Sequence, residues 1–79
     1  MPQLYLRPNP ADKEVSIEAS GLEDEGTIAI LSPEGKVMMS QPKNGREAKL
    51  NISRLPKGIY SVEVKDKNGK RLSEKLIVE

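Results

Sequence analysis

Hydrophobic residues along this chain recur at every second position, not every third or fourth. Glu14-Val-Ser-Ile-Glu-Ala-Ser20 alternates strictly, as do Glu47-Ala-Lys-Leu-Asn-Ile-Ser53 and Tyr60-Ser-Val-Glu-Val-Lys65. In an extended chain successive side chains point to opposite faces, so each segment buries one face and wets the other. Thr27-Ile-Ala-Ile-Leu-Ser32 is apolar at both parities, which predicts a more central strand. Lys36-Val-Met-Met-Ser-Gln41 is shorter and flanked by polar residues. The pattern predicts about seven strands, near 3–6, 14–20, 26–32, 36–41, 47–53, 59–66 and 70–78, and no helix.

Turn residues punctuate these segments. Ser32-Pro-Glu-Gly35 and Leu55-Pro-Lys-Gly58 put Pro second and Gly fourth, as a type I turn prefers. Asp66-Lys-Asn-Gly69 and Lys43-Asn-Gly45 supply the positive φ of tight hairpins. All six prolines are expected at strand boundaries or in connections, where a missing N–H does least harm. The connections at 32–35 and 66–69 are short enough for hairpins, and those at 21–26 and 53–58 are expected to cross between sheets. Even spacing with turns throughout predicts an all-β antiparallel sandwich or barrel, and one local feature favours an Ig-like sandwich. Leu55-Pro-Lys-Gly-Ile-Tyr60 leads straight into Val62 and Val64, which predicts a tyrosine corner, its hydroxyl turned back to the preceding backbone.

The last strand breaks the regularity. Leu72, Leu76 and Val78 share a parity, Glu74 interrupts that face, and Ile77 points the other way. Either a bulge near Ser73-Glu74 resets the register, or Ile77 lies by an exposed edge to which a receptor or a second copy could add a strand, or the last strand is simply docked and covered by its own sheet.

Composition narrows the function classes. Seventy-nine residues make one domain, with 35% hydrophobic residues, Tyr5 and Tyr60 as the only aromatics, and hence a core of Val, Ile, Leu and Met. Thirteen basic against 12 acidic residues give a net charge of +1, with neither the basic face nor the aromatic platforms of a nucleic-acid binder. Without cysteine there is no disulfide or thiol chemistry, and the compartment stays open. Without histidine the commonest general base and metal ligand are missing. Glu23-Asp24-Glu25 is dense enough to suggest calcium, but it lacks a calcium-loop spacing and suits a solvated turn. A glycosidase needs two carboxylates across a cleft, for which so thin a domain has little room. No catalytic, metal or cofactor residues are therefore assigned. Sugar contact would fall to Tyr5, and to Tyr60 only outside the corner. No apolar run approaches the ~18 residues of a membrane span, so no membrane insertion is expected. Met1-Pro-Gln-Leu-Tyr5 is not a signal peptide, and residues 1–6 are either a strand or the remnant of a linker.

Four stretches occur in a telling order: Leu6-Arg-Pro-Asn-Pro-Ala11, then Gly35-Lys36, then Leu55-Pro-Lys-Gly-Ile-Tyr60 with Val62 and Val64, and finally Lys75-Leu-Ile-Val78. Together they resemble the C-terminal sorting domain of proteins exported by the type IX secretion system, over essentially all of residues 1–79. The family pattern falls on Pro8, Asn9, Pro10, Ala11, Gly35, Lys36, Leu55, Gly58, Tyr60, Val62, Val64, Lys75, Leu76, Ile77 and Val78. Two positions depart from it: Arg7 stands where the family often has an aromatic residue, and Ser32-Pro33-Glu34 lacks the Asp common before the Gly-Lys pair. The resemblance implies a tag, not an enzyme, linked to an N-terminal cargo protein. It implies passage through the periplasm of a Gram-negative bacterium, recognition by an outer-membrane translocon, and removal by a surface sortase-like protease. The cargo would end at the cell surface or be released. The alternative is a structural or adhesive accessory module of a surface protein, with weak glycan contact.

Overall fold

The computed structural model describes residues 1–79. Seven strands form: β1 (Gln3–Arg7), β2 (Glu14–Ser20), β3 (Glu25–Leu31), β4 (Val37–Asn44), β5 (Glu47–Asn51), β6 (Gly58–Asp66) and β7 (Arg71–Val78). They make two antiparallel sheets, one ordered β1-β2-β5 and the other β4-β3-β6-β7. The strand apolar at both parities, β3, is interior to its sheet. The alternating segments turn Val15, Ile17, Leu50, Val62 and Val64 inward, and 15 buried side chains form one core between the sheets. Residues 3–7 are a strand, paired with β2 from Gln3↔Ser20 to Arg7↔Ser16.

The 32–36 and 66–70 connections are hairpins, while 21–24 and 52–57 cross between sheets. Two expectations fail near β4. The strand runs on to Asn44 because residues 40–44 pair with Ala29 through Glu25. Pro42 therefore sits inside a strand, which it can do because β4 is an edge strand. Lys43-Asn-Gly45 is not a hairpin turn either, since β4 and β5 belong to different sheets. Gly45, at φ 134°, instead turns the chain from one sheet to the other, its N–H donating to the Asp24 carbonyl at 2.9 Å.

This crossing is held by the two buried polar residues, Lys43 and Asp66. The Lys43 ammonium donates to the carbonyls of Glu23 (2.6 Å) and Asp24 (3.0 Å). The Asp66 carboxylate accepts from the N–H groups of Glu23 (3.0 Å), Asn68 (2.9 Å) and Lys70 (3.0 Å). The 21–24 connection is thus clamped from both sides. The Glu23 and Asp24 carbonyl oxygens, which a calcium loop would turn to its ion, face a lysine.

The strand directions sort the connections by end. Met1 enters beside Ser20, at the end that also holds 21–24, 45–46 and 67–70. The opposite end gathers 8–13, 32–36, 52–57 and Glu79.

Candidate recognition surface

All residues of the sequence pattern except Val62 and Val64, which run along β6 toward the other end, lie at or near that second end. The Ser32–Lys36 turn is closed by Gly35 N–H to the Ser32 carbonyl (2.9 Å) and Ser32 N–H to the Lys36 carbonyl (2.8 Å). The Ser32 hydroxyl also accepts the Lys36 N–H at 3.1 Å. Gly35 has φ 87°, a region that side chains disfavour, and so fixes where Lys36 starts the return. Beside this turn the predicted corner is formed: the Tyr60 hydroxyl donates to the Pro56 carbonyl at 2.6 Å, with its ring in the core. Gly58 precedes it, and Leu55 packs on the core's rim.

β7 pairs with β6 in unbroken register from Lys65↔Arg71 to Gly58↔Val78, with no bulge at Ser73-Glu74. Leu76 and Val78 are buried, and Ile77 stands on the outer face opposite Ile59. The expected open edge at Ile77 is also absent, because the 8–11 segment covers it. The Asn9 side chain donates from Nδ2 to the Lys75 carbonyl (2.8 Å) and accepts the Ile77 N–H at Oδ1 (3.0 Å). Ala11, buried, forms a parallel bridge to Val78: its N–H donates to the Ile77 carbonyl (2.8 Å), and its carbonyl accepts the Glu79 N–H (2.9 Å). The peptide bonds before Pro8 and Pro10 are cis.

Pro8–Ala11 and Lys75–Val78 are thus one unit. The Gly35-Lys36 turn reaches it across Ile59, in a shallow groove lined by Ser32, Pro33, Ile59, Tyr60 and Lys75. A second groove brings Lys36 and Lys57 to the other side of Ile59. Ile59 and Val37, each 55% exposed, are the large apolar groups shown to solvent here. Neither belonged to the sequence pattern. Ile59 was legible only once its register opposite Ile77 was known. The Asn9 contact had a local signal: neither Pro8 nor Pro10 has an N–H, so the Asn9 side-chain amide adds a donor and an acceptor to a stretch poor in backbone donors. No cluster of three or more His, Cys, Asp or Glu side chains forms that could hold a metal ion. Tyr5 stands alone on the outer face of the other sheet, its hydroxyl donating to the Gln3 side chain.

Residues 5–79 match the family described as the secretion system C-terminal sorting domain. Among solved structures the chain is similar to part of PorZ, described as an essential bacterial surface component of the type-IX secretion system of Porphyromonas gingivalis. That similarity has a TM-score of 0.80 at 24% identity, covering 96% of this chain and 11% of PorZ. The chain is also similar to CopC from Methylosinus trichosporium OB3b, with a TM-score of 0.61 at 25% identity, covering 100% of this chain and 94% of CopC. No curated protein sequence matches it.

Proposed function

The chain belongs to the secretion system C-terminal sorting domain family, and we propose that it works by presenting the motif end of its sandwich to an outer-membrane translocon. As a member it is a sorting signal of type IX secretion, a route of export to the surface or exterior of Gram-negative bacteria. The observation that carries the reading is the position of Met1. Strand β1 enters at the end opposite the motif residues, so a cargo joined ahead of it leaves them uncovered. The cargo reaches the periplasm on its own signal peptide, and the folded domain then docks. The contact centres on Ile59, with Lys36, Lys57 and Lys75 around it and Glu34 and Glu74 beside them. A surface sortase-like protease afterwards separates cargo from domain. The domain is an address and performs no catalysis.

The test is a fusion of residues 1–79 behind a periplasm-directed reporter, in a type IX-competent host and its translocon-deficient twin. Export only in the competent host is expected, with Ile59→Lys lowering export at unchanged thermal stability. Folded reporter retained in both hosts, while a known signal of the family is exported, overturns the reading.

A further inference from the structure

We infer that Asn9 and Ala11 form an edge cap that stops a second copy of this chain from adding its β7 to the β7 of the first. The inference is independent of which partner reads the motif end. β7 is the last strand of its sheet, so one row of its backbone groups turns away from β6. An open row of this kind is a template for another strand, most of all where the strand is apolar. Here it carries Leu76, Ile77 and Val78, backed on the outer face by exposed Ile59.

From the Lys75 carbonyl to the Glu79 N–H the outward groups are the Lys75 carbonyl, the Ile77 N–H and carbonyl, and the Glu79 N–H. All four are taken by Asn9 and Ala11. The Lys75 N–H is met by the side chain of Glu74 at 3.1 Å. The cap therefore ends where the apolar stretch ends. At Ser73 the outward groups have no protein partner, but the strand there is polar and flanked by Arg71, Glu74 and Lys75. Edges of that character resist pairing without a cover.

The choice of residues follows from the geometry. A neighbouring strand would offer β7 one N–H and one C=O from a single residue. Pro8 and Pro10 have no N–H, and the Asn9 amide offers both a donor and an acceptor from its side chain. Ala11 then supplies the same pair from its backbone, its methyl small enough to be buried against the core. The Pro-Asn-Pro-Ala segment thus imitates two residues of a strand without continuing as one. A true extra strand would expose a new edge of its own. This segment turns away after Ala11 toward β2.

Amide hydrogen exchange and sedimentation over a range of concentrations test the cap. In the unaltered domain the Ile77 and Glu79 amides are expected to be protected and that of Ser73 open. Asn9→Ala is expected to speed Ile77 exchange about tenfold, the loss of one hydrogen bond, and to associate as concentration rises. Asn9→Asp, which keeps the acceptor for Ile77 and loses the donor to Lys75, is expected to fall between, and carries the association test if Asn9→Ala does not fold. Ile77 exchanging as fast as Ser73 in the unaltered domain overturns the inference. So does loss of protection without association, because the cap would then shield β7 from nothing.

Discussion

Tyr60 and Asp66 are single residues that each settle one corner of the molecule. Tyr60 buries a ring and returns its hydroxyl to Pro56, so the corner before β6 closes on one side chain. Asp66 does the same at the opposite end with three N–H groups. The Glu23 N–H does most to hold its carboxyl below its ordinary 3.8; burial opposes this, and the Lys70 and Asn68 N–H groups and the Lys70 charge add to the lowering. A carboxylate whose folded pKa is depressed lends stability that is complete above its unfolded value and is lost as pH falls through the folded one. Asp66→Asn is therefore expected to lower the melting temperature at neutral pH. It is also expected to flatten the fall in melting temperature below pH 3.8, measured by thermal unfolding from neutral to strongly acidic buffer. Tyr60 was legible in the sequence because its partner lies four residues away. Asp66 was legible only as a turn residue: its tie to Glu23 spans 43 positions, and no local pattern records it.

At the scale of elements, strict alternation located β2, β5 and β6, since one wet and one dry face leave little freedom of register, and apolar runs between turn residues located the rest. The failures cluster on β4, where alternation is weak and Pro42 suggests a boundary. A partner strand, not the local sequence, carries β4 past that proline. Lys43 suffers most from the misreading. In the sequence it is a polar residue before Asn-Gly; in the fold it is buried, with two carbonyls on its ammonium. Lys43→Met keeps the volume of the stem and strands both carbonyls. It is expected to cost about 1.5–3 kcal/mol, the range for hydrogen bonds to a charged group, measured as a shift of the urea midpoint at unchanged slope. For a domain whose total stability is on the order of 4–12 kcal/mol, that is a large share. β7 taught the opposite lesson. Its parity was read correctly, but the sequence left its edge open between exposure and a docked strand, because the cover comes from Asn9, 66 and 68 positions before the residues it holds.

Across the whole molecule the arrangement is polar. The two termini leave from opposite ends. The placement of the motif residues was not legible in alternation or composition, which treat Pro8, Gly35, Gly58 and Lys75 as ordinary turn and surface residues. Their order along the chain carried the resemblance, and antiparallel topology brought them to one end. If that end is what the translocon reads, moving the reporter from ahead of Met1 to behind Glu79 should block export while leaving the domain folded. Export at equal efficiency from both fusions, followed in culture medium and periplasm, would place the contact elsewhere.

The bond between the first loop and the last strand also has a meaning in time. Within the domain, synthesis makes Asn9 and Ala11 well before the groups they grip on Lys75, Ile77 and Glu79. A chain that breaks off before Lys75 leaves the early loop with nothing to hold. The finished edge therefore closes only once the domain has been made through Glu79, and a domain broken off before Lys75 lacks the groups that Asn9 and Ala11 hold.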